Sequence, residues 1–394
     1  MSNPLQDPEF FRNPYPTYAA LRSASPVREV PGGGGRSSYL VTGYAEAREA
    51  FTDPRLSKDA AAFFAGEDTG RNLHPAVSRS MLATDPPRHT RLRSLVTKAF
   101  TPGAVARLRP YIAGVTDALL DQWVPGEPTD AVATLAGPLP VAVICRLLGV
   151  PDADHAAVRT WSDELFAAGR PERIDAASHA VAGYLADLVA AKRRTPDDSL
   201  LSDLIRARDG EDGEDRLGED ELVSLAVLLL VAGHETTTNL IGNGLVALLR
   251  APESLHRLRE DPDLVEAAVD ELLRLDSPVG IATFRFTTET IRLGGTEIPA
   301  RSPVLIAPGA ANRDPARFPE PDRLDLDRGA GGHLAFGHGI HRCLGAPLAR
   351  AEGGIALRAL VTRFPRLRLA VPAEELEWRH TRLMRGPVSL PVLP

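Results

Sequence analysis

A mainly α-helical fold with small β-sheets is what this sequence predicts, on three observations. From Gly103 to about Arg208 apolar residues recur every three or four positions, as in Val105, Leu108, Ile112, Val115 and Leu119, with breaks at Pro125, Pro128, Pro138, Pro151 and Pro196. Residues Glu221 to Arg250 can form one helix of 30 residues whose first half is apolar on every face. At 1.5 Å per residue it would be about 45 Å long, which runs it through the middle of the protein. After Pro278 the chain changes to short β-rich pieces separated by turns.

Taken from the N-terminus, Pro26 to Val30 and Ser38 to Thr42 read as two short strands around the turn Pro31-Gly32-Gly33-Gly34-Gly35. The helical series follows. Asp209 to Glu221 then carries eight acidic residues with Gly210, Gly213 and Gly218, a solvated loop whose last carboxylates favour the dipole of the next helix. Beyond the long helix, Ile281 to Thr287, Thr290 to Leu293 and Pro303 to Ala307 are expected strands, and a helix returns from Pro347 to about Phe364. No repeat and no Ser/Gly linker divides the chain, so residues 1–394 are expected to form one compact body.

The 394 residues carry a formal charge of -7, which argues against nucleic-acid binding driven by overall charge. Two cysteines, Cys145 and Cys343, are too few for a disulfide framework and fit a reducing cytosol. The polar stretch Met1 to Arg12 is neither a signal peptide nor an anchor, and the longest apolar run, Leu222 to Gly233, is too short to span a bilayer. A cytoplasmic monomer without a membrane segment is expected.

The segment with the most chemical information is Phe336-Gly337-His338-Gly339-Ile340-His341-Arg342-Cys343-Leu344-Gly345-Ala346-Pro347, a glycine-rich loop leading into a helix. A thiolate at a helix start is stabilised by the dipole and by free backbone N–H groups, and glycines allow turns and close approaches that a Cβ obstructs. That is suitable geometry for an iron ligand. Cys145, inside the apolar run Val141 to Leu148, reads instead as a small buried hydrophobe. In the long helix, Ala232-Gly233-His234-Glu235-Thr236-Thr237-Thr238-Asn239 sets a carboxylate and hydroxyls beside Leu230 and Val231, and a charge placed there suggests function.

With these motifs the sequence resembles the cytochrome P-450 family of haem-thiolate monooxygenases, whose F-x-x-G-x-x-x-C-x-G signature is met by Phe336, Gly339, Cys343 and Gly345. The resemblance implies haem b, with Cys343 as the iron ligand whose thiolate pushes electron density toward O–O cleavage. It implies that Gly233 makes an oxygen groove, that Ala232, Phe336 and Gly345 help bind the haem, that Glu235 belongs to a proton relay and that Thr236 hydrogen-bonds dioxygen. The helix is then expected to open locally at that point. The family's propionate-binding positions fall on His89, Arg93, Arg285 and His341. Its buried E-x-x-R pair falls on Glu271 and Arg274, joined by Arg323 downstream of Ala311-Asn312-Arg313-Asp314-Pro315, as structural rather than catalytic charges.

The resemblance further implies a reaction using O2 and two electrons from NAD(P)H, delivered through a ferredoxin reductase and a ferredoxin. Arg88, Arg91 and Arg342 are candidates for a basic patch facing that ferredoxin. Its variable pocket segments correspond to Ser57 to Thr84, Phe166 to His179, Val279 to Thr283 and Leu383 to Arg385. There Phe63, Phe64, Leu73, Leu82, Phe166, Ile281, Leu383 and Met384 are apolar and Gly280 and Ala282 are small, which suits a bulky apolar substrate. Similarity to soluble actinomycete members, including the string Ala232-Gly233-His234-Glu235-Thr236-Thr237, suggests tailoring of a macrolide, polyketide or related metabolite, with fatty acids, terpenes and steroids as alternatives. The arginine bias that leaves only Lys58, Lys98 and Lys192 as lysines points instead to GC-rich coding and so to origin, not mechanism. The rival readings are a peroxide-driven peroxygenase, a thiolate-haem sensor without turnover, and a helical scaffold in which Cys343 binds nothing.

Overall fold

The computed structural model describes residues 4–32, 37–66, 70–166, 170–210 and 217–394. The turn expected at residues 33–35, the acidic residues 211–216 and residues 67–69 and 167–169 of the pocket segments lie outside the described residues. The chain is mainly α-helical with small sheets, as its apolar periodicity requires. It divides into two compact, interleaved units: residues 1–56, 109–139 and 236–394 in the first, and 57–108 and 140–235 in the second.

In the first unit, Val27–Pro31, Ser37–Val41, Pro303–Ile306 and Arg285–Thr287 lie side by side in that order. Val27 pairs antiparallel with Val41, and Tyr39 pairs parallel with Val304. Alternate residues Val27, Tyr39, Val41, Val304 and Ile306 enter one core with Ala47 and Phe51 of the helix Tyr44–Thr52. A hairpin, Ile291–Leu293 with Thr296–Ile298, turns on Gly294 and Gly295, both at positive φ, the conformation that two-residue hairpin turns need.

Three helices of this unit approach closely through glycine. A Cβ on Gly353, in the helix Ala346–Arg363, would stand 2.9 Å from Leu240, and one on Gly354 would stand 3.1 Å from Glu266 of the helix Leu264–Leu275. The sequence Glu352-Gly353-Gly354 therefore trades helix propensity for packing distance.

The second unit is built from Pro138–Leu148, His155–Leu165, Pro171–Arg194 and Leu200–Gly210, with Ile144, Cys145, Val158, Val181, Leu185 and Leu201 buried. The long helix runs from Glu219 to Leu249, close to its expected bounds, and the division between the units falls within it, between Glu235 and Thr236. It is long and apolar enough to cross a membrane, yet 72% of its most apolar stretch is buried inside the protein. It is α-helical throughout Glu219–Leu249, so the local opening expected near Gly233 is not present.

Candidate functional site

The cysteine loop is set by its glycines. Gly337 and Gly339 have φ of 68° and 72°, the left-handed region, and a Cβ on Gly339 would stand 2.8 Å from the carbonyl oxygen of Phe51. Only glycine meets both demands there. Gly345 differs: it caps the helix Ala346–Arg363 at an ordinary φ of -79°, and an added Cβ would meet only Cys343 Sγ, at 4.0 Å. The loop closes where the Cys343 backbone N–H donates to the Phe336 carbonyl at 2.8 Å, and Arg342 N–H donates to Gly339 at 3.1 Å. This leaves Cys343 exposed just ahead of the helix, whereas Cys145 is fully buried and burial pushes its thiol up to about 12. Cys145 is chemically inert, as its apolar surroundings predict.

Phe51 joins the loop to a buried cation. Arg285 is 3% exposed, donates to the Thr283 carbonyl at 3.4 Å and lies over the Phe51 ring, 4.9 Å from its centre. His341 sits half-buried in the short helical turn Gly339–His341. In the second unit, His89 and Arg93 lie on the helix Arg88–Thr97, with His89 only 2% exposed. Burial first, then the charges of Arg93 and Lys58, hold the His89 pKa below its ordinary value, against an opposing pull from Asp85. Lys58 is itself buried.

Near the middle of the long helix, accessible surface remains at Leu228, Val231, Ala232, Gly233 and Thr236. Ala232 is exposed and Leu228 and Thr236 are half-buried, while His234, Glu235, Thr237 and Thr238 are buried. Positions 228, 232 and 236 are four apart and share a face, and Thr236 keeps partial exposure there. Gly233 has a packing role as well as any role toward oxygen: a Cβ there would stand 2.8 Å from Ile144.

The fit of these residues to a haem follows from the donor chemistry. Among the described residues no three His, Cys, Asp or Glu side chains converge on a possible metal site. A lone thiol cannot hold a bare ion, but it can complete a metal already ringed by a macrocycle. In the first unit the buried cation Arg285 suits a carboxylate of the kind a porphyrin brings, and the second unit by itself offers the buried Lys58 and His89.

Residues 170–375 match the family model of cytochrome P-450. The chain is 47% identical to a vitamin D(3) 25-hydroxylase of Pseudonocardia autotrophica, over 97% of this chain and 94% of that protein. The chain belongs to the cytochrome P-450 family. It is also 43% identical to the 6-deoxyerythronolide B hydroxylase of Saccharopolyspora erythraea, each covered to 98%. A solved structure of the tirandamycin C-bound P-450 monooxygenase TamI superposes with a TM-score of 0.91 at 46% identity, covering 98% of this chain and 99% of that one. The protein is accordingly a haem-containing P-450 monooxygenase.

Within this P-450 the expected ion pair is present and buried: Arg274 donates to Glu271 through Nε at 2.6 Å and through Nη2 at 2.9 Å. The third arginine is not Arg323. Its side chain is 61% exposed and pairs with Asp325 at 3.1 Å, and only its backbone carbonyl takes part, accepting from Arg274. Arg328 reaches Glu271 instead, Nε to Oε1 at 3.2 Å, with the Asp325 N–H at 3.0 Å on the same oxygen. The turn at 319–328 folds back so that the later arginine points inward, which one sequence motif could not distinguish.

The expected basic patch is also redrawn. Arg88 and Arg91 both bond Glu221, Arg91 at 2.6 and 2.8 Å, so a carboxylate offsets their charge. Beside the cysteine loop, however, a cavity of about 270 Å³ is lined by Arg48, Arg317, Arg342 and Arg350, with Asp270 bonded to Arg350 and His333. Burial, then Arg48 and Arg342, lowers the His338 pKa there. Sequence reasoning found only Arg342 of this group: Arg48 and Arg317 come from distant segments, and Arg350 lies on the helix that follows the loop.

Of the pocket candidates, Ile281 belongs to a core with Leu5, Phe10, Tyr15 and Leu40 and is 6% exposed, so it is a packing residue. Gly280, Ala282 and Leu383 are half-buried and Met384 is buried. Gly280 N–H donates to Leu383 and Ile281 N–H to Arg382, both at 2.9 Å, which brings these two segments together. In the second unit Phe63 and Phe64 meet edge to face at 4.8 Å, and Phe64, Leu82 and Phe166 are half-buried. Leu73, also half-buried, lies in a segment tied to the helix Pro171–Arg194 by Arg71 to Asp175 at 2.8 Å and by the His74 N–H to Ser178 at 2.9 Å.

Sequence reasoning missed Glu352, 1% exposed on the helix after the cysteine, whose pKa burial raises well above the carboxylate range. Its folded-state pKa exceeds its unfolded value, so the folded state holds the proton longer and stability falls as pH rises above the unfolded pKa. Glu352→Gln is therefore expected to remove a pH-dependent loss of up to about 1.4 kcal/mol per pH unit. Denaturant midpoints measured between pH 5 and pH 8 check this; equal slopes in both proteins would refute it.

Proposed function

We propose that this monooxygenase hydroxylates or epoxidises a bulky apolar small molecule of secondary metabolism, of the macrolide or polyketide kind. The 6-deoxyerythronolide B hydroxylase and the tirandamycin-bound TamI support that class, as does a mycinamicin IV hydroxylase/epoxidase of Micromonospora griseorubida. The single observation that carries the reading is the combination of an exposed cysteine in a glycine-fixed loop with a half-buried Thr236 set among the buried His234, Glu235, Thr237 and Thr238 of the long helix. Electrons from NAD(P)H, through a ferredoxin reductase and an acidic ferredoxin, are part of the same proposal, with Arg342 and its neighbours Arg48 and Arg317 as the docking charges.

Haem supplies the chemistry of O2 activation and oxygen insertion. The chain's own residues do the rest. Cys343 Sγ, as thiolate, would ligate the haem iron, and the Phe336 carbonyl fixes its backbone by accepting the Cys343 N–H. Arg285 and His341 of the first unit, and His89 and Arg93 of the second, are the residues that would pair with the propionates of the haem. Thr236 Oγ1 presents a hydrogen bond from its half-buried position, and the buried Glu235 carboxyl, one residue earlier, holds the proton that Thr236 passes on. The apolar residues exclude water from the reacting carbon.

Optical titration of the ferric holoenzyme with 6-deoxyerythronolide B, vitamin D3 and myristic acid tests the substrate class. A Soret blue shift saturating with the macrolactone supports the proposal, and a response confined to myristic acid overturns it. Thr236→Ala is expected to divert most reducing equivalents to hydrogen peroxide while leaving substrate binding intact. Peroxide formed per NAD(P)H consumed is the measurement, and unchanged coupling would move the role to Thr237 or Thr238.

A further inference from the structure

The residues around Asp276 and Arg385 form a polar network, all in the first unit, that the proposed reaction does not use. Arg385 Nε donates to Asp276 Oδ1 at 2.6 Å, and the Tyr15 hydroxyl donates to the same oxygen at 2.6 Å. The guanidinium also reaches the Phe11 carbonyl at 3.2 Å and lies 4.0 Å over the Trp378 ring. Arg385 and Asp276 are both largely buried, with side chains 10% and 12% exposed. Burial penalises such a pair heavily unless its hydrogen bonds are filled, so these contacts make Arg385 a fixed anchor.

The segment that Arg385 anchors is the turn Leu383–Met384, bridged to Val279 and bonded to Gly280 and Pro278. A Cβ on Gly280 would stand 2.7 Å from the Arg382 carbonyl, so glycine permits that contact. On its other side the segment lies directly on the long helix. Asn243 Nδ2 donates to the Arg385 carbonyl at 3.0 Å and to the Asp276 carbonyl at 3.4 Å. A Cβ on Gly386 would stand 2.0 Å from Asn239 Oδ1, and Pro387 packs 3.3 Å from the Cβ position of Gly242. Asn239 and Asn243 stand three and seven residues after Thr236 and share its helix face to within about 60°. Asn243 is 1% exposed.

We propose that Asn243, with the Arg385–Asp276 pair, fixes the height of the Leu383–Met384 turn over the helix face that carries Thr236, and so limits how bulky a molecule fits there. Asn243 is a positioning residue, since it touches the turn and not the reacting atoms. Its amide is the tie between the helix and the turn, and Arg385 is the tie between the turn and Asp276. Loss of either lets the turn rise, which admits a larger ligand without changing the iron's own ligand. The inference rests on the reading of Leu383 and Met384 as lining the substrate site.

The test titrates ferric holoenzyme with imidazole and with 4-phenylimidazole, read by the Soret red shift that nitrogen ligation gives. Asn243→Leu keeps the volume and removes the donor, and Arg385→Lys keeps the charge and removes the fork. Each is expected to raise affinity for 4-phenylimidazole relative to imidazole by about tenfold, the scale of one hydrogen bond. A general loss of stability would move both ligands together and leave the ratio unchanged. Unchanged ratios in both variants would overturn the proposal. A wild-type protein whose band does not move with either azole would overturn the haem-site reading and this inference with it.

Discussion

Replacement of Cys343 by histidine is expected to abolish monooxygenation while leaving the fold intact. The loop conformation depends on Gly337 and Gly339 and on the backbone bond from residue 343 to Phe336, none of which uses the sulfur. The side chain is exposed, so the larger imidazole meets no packed core. What changes is the ligand's charge: a neutral nitrogen lacks the electron push of a thiolate. No other cluster of donors among the described residues is available to substitute. The check is product formation from whichever compound shifts the Soret band, with haem content measured in parallel. Undiminished oxygenation by Cys343→His would remove the thiolate from the account.

Arg274→Ala is expected to carry the largest stability effect, about 3–5 kcal/mol, because it leaves a buried carboxylate facing fewer partners. Arg274 is fully buried and donates to Glu271, to the Asn312 carbonyl at 3.0 Å, to Pro321 at 2.7 Å and to Arg323 at 3.1 Å. All three carbonyls lie in the segment leading to the cysteine loop, so the fault spreads toward Cys343. With a whole-domain stability of about 5–15 kcal/mol, the variant is expected to be recovered largely without haem. Arg328→Ala should cost less, since Arg274 still satisfies Glu271, and Arg323→Ala should stay within about 0.5 kcal/mol, as an exposed side chain does. Urea midpoints for the three variants give the ranking. Equal losses for Arg323→Ala and Arg328→Ala would contradict the assignment of the third arginine.

The helices were legible because their signals are local. Glu219–Leu249 and Ala346–Arg363 fall within a few residues of the expected bounds, since apolar runs and proline or glycine stops act over a single turn. The strand expected at Ile281 to Thr287 contracts to Arg285–Thr287, because Gly280 and Ile281 give their N–H groups to Leu383 and Arg382, a hundred residues away. That same pairing turns Ile281 into the core. The π-helical turn Val132–Ala136 had no signature in composition.

At the site, the cysteine loop could be read from sequence because its motif carries its own geometry. The charges were read less well, because an arginine's partner is a tertiary fact. Arg91 meets Glu221, far along the chain, and Arg328 rather than Arg323 turns inward. Arg48 and Arg317 come from distant segments to line one cavity with Arg342 and Arg350, with no periodicity to announce it.

The central claim is that Cys343, as thiolate, ligates the haem iron. The absorption difference spectrum of the dithionite-reduced protein with and without carbon monoxide tests it most directly. The account predicts a far-red-shifted Soret band, lost in Cys343→His. A band at the position of histidine- or thiol-ligated haem in freshly prepared, substrate-responsive protein would contradict it.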